Sequence, residues 1–205
     1  MATSNTDPPY VGNINYSELN LLWEAWLGKE RTSIDELIVN KYQNKDLATY
    51  QRMLTRAIAE CHRVLKNGRV LTLVFHHTDP AAWGVLQRSV LTSNFQKLGF
   101  SKIFFHMMTA KQTESRIAAQ GFLLLHFLKK EQSRSDELPQ SLPDFDILYV
   151  RKLIREYIDT PNASISREKL YDHVIAGLFD KCWIKPFDLE ALLEEEGIKL
   201  VIRKK

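Results

Sequence analysis

The sequence has few of the residues that build cross-linked, metal-bound or membrane-embedded proteins. Only two of its 205 residues are cysteine, Cys61 and Cys182. They lie far apart, so neither a disulfide scaffold nor a zinc ribbon is indicated. The apolar runs are far shorter than the roughly 20 residues that a membrane span needs. No secretory signal is evident, so we expect a cytoplasmic protein.

The sequence also has few glycines and a small net charge. No two of the eight glycines lie within a few residues of each other, so a glycine-rich turn that brings backbone close to a ligand is missing. The net charge of +3 is too small to indicate nucleic-acid binding without a local basic patch. With 44% hydrophobic and 26% charged residues, the chain has the composition of an ordinary globular protein of one or two domains.

Helix and strand patterns alternate after residue 10. Apolar spacing, capping residues and short apolar runs define each element. The predicted elements are helices over 16–27, 47–65 and 80–98, and strands over 70–75, 103–108 and 122–128. The last two strands have no helix pattern between them and are expected to pair antiparallel. We therefore predict an α/β fold whose last two strands form an antiparallel unit.

Four residues near the start, Asp7, Pro8, Pro9 and Tyr10, combine groups that suit a binding turn; we call them the DPPY turn. Asp7 supplies an acceptor-only carboxylate. Pro8 and Pro9 fix φ and remove two backbone donors, so the turn is stiff and offers carbonyl oxygens. Tyr10 adds an aromatic face. Because Asp-Pro commonly opens turns, a simple strand-ending turn is the alternative interpretation.

The DPPY turn and three spaced segments after it resemble the adenine-specific DNA methylases of restriction-modification and phage-defence systems. The matching segments are Thr6-Asp7-Pro8-Pro9-Tyr10, Tyr16-Ser17-Glu18-Leu19 with its tryptophan-rich helix, Glu60-Cys61-His62-Arg63-Val64-Leu65-Lys66-Asn67-Gly68, and Phe75-His76-His77-Thr78-Asp79-Pro80-Ala81-Ala82-Trp83. The likeness covers roughly residues 1 to 130. It is specific because the segments occur together.

This resemblance implies transfer of a methyl group from S-adenosylmethionine to adenine N6 of DNA. Asp7 and the carbonyl of Pro8 would accept hydrogen bonds from the amine, and Tyr10 would stack on a base rotated out of the duplex. All four DPPY residues would be catalytic. The fold would be the second half of a Rossmann-like methyltransferase sheet, in which a reversed final strand closes the edge. The turn would leave the carboxyl end of a strand, where such sheets bind ligands.

The sequence departs from the family in lacking the glycine-rich cofactor turn, often Phe-x-Gly-x-Gly. We therefore expect a fragment, or one half of a split enzyme whose partner chain binds the cofactor. The isolated chain should bind S-adenosylmethionine weakly or not at all, and should be inert. Two alternatives stay open: a non-catalytic DNA-binding or assembly subunit, and cytosine N4 as the target instead of adenine N6.

Three polar residues near the predicted strand ends are candidate substrate contacts: Asn13, His76 and His77. For the two histidines, a simpler interpretation is that they end a strand and precede the helix cap at Asp79. We predict no metal site, because no cysteine or carboxylate lies at ligand spacing with them.

The last third of the chain has a different pattern. We predict a partial methyltransferase domain over 1–130, a linker over 131–143, and a mainly helical module over 144–205. Within that module, helices are expected over 145–157, 167–179 and 189–196, and a strand over 198–202. A winged-helix-like unit that contacts DNA is one interpretation. The simpler one is that these helices pack against the sheet.

Overall fold

The computed structural model of the protein describes residues 3–29, 33–104, 121–130, 142–160 and 166–198. These residues form a mixed α/β fold. The strands are β1 (Ser4–Thr6), β2 (Val70–Phe75), β3 (Phe95–Phe104) and β4 (Gly121–Lys129). The helices are α1 (Tyr16–Leu19), α2 (Leu21–Trp26), α3 (Leu47–Val64), α4 (Pro80–Leu91), α5 (Ile147–Ile158), α6 (Arg167–Lys181) and α7 (Leu189–Glu195), with a 3-10 turn at Lys41–Gln43.

The four strands form one sheet in the order β1-β2-β4-β3. The β1 and β2 strands are parallel, whereas β4 is antiparallel to both of its neighbours, which confirms the predicted reversed strand. The prediction that this strand closes the edge is wrong, because β3 lies outside it. The sequences explain the order: β4 is almost wholly apolar, while β3 carries Lys97, Ser101 and Lys102 and a bulge before Gly99, all of which suit an edge strand.

The predicted helix over 80–98 is too long, because α4 ends at Leu91. The side chains of Thr92 and Ser93 donate hydrogen bonds back to carbonyls of the last helical turn. Asn94 then adopts a left-handed φ of 60°, and the chain enters β3 at Phe95. The strand predicted over 103–108 is therefore the end of a longer strand, and its residues after 104 lie outside the described ranges.

The other predicted elements are found with small shifts in their ends. The helix over 16–27 divides at Asn20 into α1 and α2, and the strands over 70–75 and 122–128 correspond to β2 and β4. The three C-terminal helices are also present. Aspartate or serine side chains accept backbone hydrogen bonds at the N-termini of α3, α4, α5, α6 and α7. The linker up to 141 and the strand after 198 lie outside the described residues.

One face of the sheet holds the hydrophobic core. Alternate residues of β2, namely Leu71, Leu73 and Phe75, are almost completely buried and pack in one cluster with apolar side chains of α3 and α4. Residues of α5, α6 and α7 belong to the same cluster. At Gly84 of α4, a Cβ atom would come within 2.4 Å of the Ile184 carbonyl oxygen, so only glycine permits this close approach.

The opposite face of the sheet carries a row of polar side chains across three strands. The His126 ring on β4 is hydrogen-bonded through Nδ1 to Thr72 of β2 at 3.0 Å and through Nε2 to Ser101 of β3 at 3.2 Å. We call this row the Thr-His-Ser ladder. Within the described ranges, no helix has both the length and the apolar composition that crossing a bilayer requires.

Candidate functional site

The DPPY turn begins where β1 ends. Thr6 is the last residue of β1 and pairs with Leu73 of β2, so Asp7 emerges beside the final residues of β2. Because the two strands are parallel, both carboxyl ends point to the same edge of the sheet. Open α/β sheets bind their ligands at that edge. The sequence predicted that the turn leaves the carboxyl end of a strand. In the structure it follows the carboxyl end of β1, beside that of β2.

Hydrogen bonds from the surrounding chain hold the DPPY turn. The carbonyl oxygen of Pro9 accepts from the Tyr50 hydroxyl of α3 at 2.5 Å and from the Val11 N–H at 3.1 Å. The Asn13 N–H donates to the carbonyl of Tyr10 at 3.1 Å. The turn is therefore fixed both by its own backbone and by the buried Tyr50 side chain of α3, a helix that begins at Leu47.

Val11, directly after the turn, has a strained backbone. Its φ of 57° lies in the left-handed region, where a β-branched residue is a genuine outlier. A conformation of this kind costs about 1–3 kcal/mol and persists only where neighbouring contacts enforce it. Here the Val39 N–H donates to the Val11 carbonyl at 3.0 Å. Strain of this kind concentrates at ligand-binding and catalytic sites, which marks this turn as a candidate.

Four rings meet at the carboxyl edge of β2; we call Tyr10, Phe75, His76 and Phe122 the aromatic cluster. The Tyr10 ring centroid lies 5.3 Å from that of Phe75, 6.1 Å from Phe122 and 6.4 Å from His76. His76 and Phe122 are 5.2 Å apart. Phe75 is completely buried, whereas Tyr10 is half-buried. Because His76 and Phe122 are also partly exposed, the cluster gives the site an aromatic wall with three rings partly open to a ligand.

The polar groups of the DPPY turn differ in exposure. Asp7 is exposed, Pro8 is buried, and the Tyr10 hydroxyl is shielded from solvent. Burial, and after it the nearby Asp7 carboxylate, raise the pKa of Tyr10 far above its ordinary range. That hydroxyl makes no hydrogen bond of good geometry within the described residues. Tyr10 therefore stays neutral, and the negative charge of the site belongs to Asp7.

The other candidate residues have separate positions. The His76 ring joins the aromatic cluster. By contrast, Nδ1 of His77 accepts from the Asp79 N–H at 2.9 Å, and its carbonyl accepts from the Trp83 indole at 2.8 Å. Burial lowers the pKa of His77, although Asp79 opposes that shift. His77 thus holds the start of α4, while Asn13 is exposed and contributes its backbone to the turn.

A polar network that the sequence did not suggest anchors the helix after the turn. Both the N–H and the hydroxyl of Ser17 donate to the Glu36 carboxylate, at 2.9 and 2.6 Å, and Gln43 donates to it at 2.8 Å. Burial alone would raise the pKa of Glu36, but these hydrogen bonds outweigh burial and lower it. Glu36 is thus a charged acceptor that fixes α1 against the segment before α3. Only the tertiary fold brings these residues together.

The described residues offer no glycine-rich turn for S-adenosylmethionine. Among the glycines whose surroundings the structure describes, Gly12, Gly84 and Gly177 lie against the chain's own atoms. The others, Gly28, Gly68, Gly99 and Gly197, have positive φ and lie in turns or at the β3 bulge. No two of these glycines lie within a few residues of each other, so they do not form the glycine-rich turn that the resemblance implies for a methionine moiety.

Metal binding has no visible basis in the described part of the chain, where no group of three or more histidine, cysteine or acidic side chains could hold an ion. The absence of a metal from the function stays a prediction.

Comparisons of the chain with protein-family models, with curated proteins and with solved structures each found no match.

Proposed function

We propose that this chain is the target-base half of a DNA adenine N6-methyltransferase. The observation that carries the proposal is the DPPY turn at the carboxyl end of a parallel strand, beside a cluster of aromatic rings. The strand order β1-β2-β4-β3 with β4 reversed supports it, because the second half of a Rossmann-like methyltransferase sheet also contains a reversed strand.

The chain's own residues would activate the amine. An exocyclic adenine amine is a weak nucleophile because its lone pair is delocalised into the ring. The Asp7 carboxylate and the Pro8 carbonyl can each accept one of its two N–H groups, which favours a tetrahedral nitrogen with a localised lone pair. Asp7 is exposed and so accessible to an incoming base. The half-buried Tyr10 ring would stack on a base that has left the duplex.

The methyl donor would have to be bound by a second chain. No two glycines of this chain lie within a few residues of each other, so the glycine-rich turn of the family is missing. We therefore expect that the isolated chain transfers no methyl group, and that activity requires a partner that carries a glycine-rich turn. Detectable methyl transfer by the purified chain alone would contradict the split-enzyme part of the proposal.

The first prediction concerns Asp7→Asn, tested in the chain mixed with such a partner, taken from an adjacent reading frame. Asparagine keeps the size but presents an NH2 donor toward an amine that needs an acceptor. Loss of a positioned polar group of this kind costs about 100-fold or more in rate. The measurement is tritiated methyl transfer into DNA, with the product identified as N6-methyladenine after digestion.

The matched control is Asp35→Asn, which removes an exposed carboxylate away from the turn and should leave the transfer rate unchanged. Equal activity of Asp7→Asn and the unmodified chain would overturn the role of Asp7. A product methylated at cytosine N4 would keep the mechanism but change the target base.

The missing glycine-rich turn also favours a second function, a non-catalytic DNA-binding or assembly subunit that retains the motif. On that alternative, DNA binding by the mixed chains would depend on this subunit, whereas methyl transfer would be insensitive to Asp7→Asn. The same pair of variants therefore separates the two functions, provided that DNA binding and methyl transfer are measured on the same samples.

A further inference from the structure

We propose that Tyr50 of α3 is a positioning residue for the target base: its hydroxyl holds the Pro9 carbonyl and thereby determines which oxygen of the DPPY turn faces the base. This inference rests on the proposed function and adds a residue to its machinery. Tyr50 touches no reacting atom. It acts through the turn that it holds.

The contact is built deep into the fold. The Tyr50 side chain is completely buried, and its hydroxyl lies 2.5 Å from the Pro9 carbonyl oxygen. A buried tyrosine hydroxyl needs a hydrogen-bond partner, and this one finds it in the turn. Burial raises the pKa of Tyr50 to about 12, although the Val11 N–H opposes the rise. The hydroxyl is therefore a donor at any physiological pH.

The contact decides how the two proline carbonyls are used. A carbonyl oxygen has two lone pairs, and that of Pro9 accepts from both the Tyr50 hydroxyl and the Val11 N–H. It has no acceptor capacity left for a base. The Pro8 carbonyl and the Asp7 carboxylate are then the two acceptors for an amine with two N–H groups. Tyr50 thus selects the pair of acceptors that the proposed chemistry uses.

The same contact supports the strained residue that follows. Val11 donates to Pro9 while its own φ is 57°, and Val39 holds its carbonyl from the other side. Without the Tyr50 hydroxyl, the Pro9 carbonyl would be held by one donor fewer, and Val11 could relax toward an ordinary φ. The turn would then rotate, and the acceptors would lose their alignment with the amine.

Tyr50→Phe tests this inference, because it removes the hydroxyl and keeps the ring in the core. In the isolated chain, we expect the NMR Cα shift and the HN–Hα coupling of Val11 to lose their left-handed values. In the chain mixed with its cofactor-binding partner, we expect kcat for methyl transfer to fall about 10- to 100-fold, since small misplacements of reacting groups cost this much. The KM for DNA should stay within about twofold.

Tyr149→Phe is the control, since it removes the hydroxyl of a partly buried tyrosine on α5 that lies outside the turn, and should change neither readout. Unchanged Val11 parameters in Tyr50→Phe would overturn the inference. A fall in kcat/KM of the same size that came entirely from a higher KM would also overturn the inference. If Tyr50→Phe does not fold, Val11→Pro removes the left-handed φ of the same turn, because proline fixes φ at about −65°, and should give the same fall in kcat.

The outcomes also separate this inference from the proposed function. A strong effect of Asp7→Asn without an effect of Tyr50→Phe would overturn the positioning role alone. Absence of any Asp7→Asn effect would overturn the proposed function, and the role of Tyr50 in it, even where Val11 responds to Tyr50→Phe. We expect kcat to fall in both variants, and the NMR parameters of Val11 to change only in Tyr50→Phe.

Discussion

Asp172 of α6 exposes only 7% of its surface, although its side chain is a carboxylic acid. Burial raises its pKa to about 7; Lys102 opposes the rise and Glu168 adds to it. A single side chain can therefore make the stability of the whole chain depend on pH. At the same scale, burial raises the pKa of both Tyr10 and Tyr50, so neither hydroxyl changes charge in the neutral pH range.

The second prediction follows from the sign of this shift. The folded-state pKa of Asp172 lies above its unfolded value of 3.8, so the folded state holds the proton more tightly. This contribution to stability is fully present below about pH 4 and is lost as the pH rises through 7. Asp172→Asn should therefore raise the free energy of unfolding at pH 8 on the order of 2–4 kcal/mol and change it little at pH 4.

Urea unfolding at the two pH values measures this difference. Asp159→Asn, at the exposed C-terminal end of α5, is the control and should show no such pH dependence. If Asp172→Asn shifted stability equally at both pH values, packing and not ionisation would be its cause.

Among the elements, α4 and α6 are joined by one buried amide. Gln87 of α4 is completely buried; its Nε2 donates to the carbonyls of Phe179 and Cys182, and its Oε1 accepts from the Ile184 N–H at 2.9 Å. These backbone groups lie at and after the end of α6, where the helix itself leaves carbonyls unpaired. The side chain thus completes the C-terminus of one helix from the surface of another.

The third prediction is that Gln87→Ala lowers the free energy of unfolding by about 2–4 kcal/mol, because buried backbone groups lose their partner and a cavity forms. Chemical denaturation measures the loss. Gln51→Ala, on a half-buried position of α3, should cost far less. Equal losses in the two variants would show that solvent replaces the amide of Gln87 without penalty.

The elements also show where sequence reasoning works. Helices whose ends carry a local signal, such as Asp79-Pro80 or Ser166, were predictable because the cap and the helix are adjacent in the chain. The end of α4 was not. Gly99 has the spacing of a helix terminator, yet it lies after a bulge in β3 with φ of 148°. Phe95 and Leu98 are apolar in either interpretation, so periodicity alone could not separate helix from strand.

The candidate site divides in the same way. The DPPY turn follows from consecutive residues, and its place at the end of a strand follows from the α/β pattern. Phe122 and Tyr50 could not be assigned to it, because their contacts with Tyr10 and Pro9 depend on the register of β4 with β2 and on the packing of α3. Sequence reasoning therefore recovers the DPPY turn but not the residues that surround and hold it.

At the scale of the whole molecule, the helices after the DPPY turn expose an unusual amount of apolar surface. Leu22 and Trp26 of α2 are both 81% exposed, and Trp23 between them is 61% exposed. The Trp23 and Trp26 rings lie 6.0 Å apart. Residues placed in this way contribute little to the core, even though their spacing in the sequence is that of a core-facing helix.

The fourth prediction is that replacing Leu22 and Trp26 together by serine changes the free energy of unfolding by no more than about 0.5 kcal/mol, as for other surface positions. Leu54→Ser, in the buried face of α3, is the contrast and should cost several times more. Thermal and urea unfolding of the isolated chain measure both. A large loss in the double variant would mean that α2 packs against the rest of the chain.

The Thr-His-Ser ladder has a consequence for how the sheet assembles. Alternation of side chains already opposes a slip of one residue between strands, since every apolar group would change face. A slip of two residues restores the alternation, so hydrophobic patterning does not oppose it. It would, however, carry His126 away from both Thr72 and Ser101, and leave ring nitrogens on a half-covered surface without partners. The ladder therefore disfavours the two-residue slip that hydrophobic patterning tolerates, and so keeps Phe122 beside Tyr10.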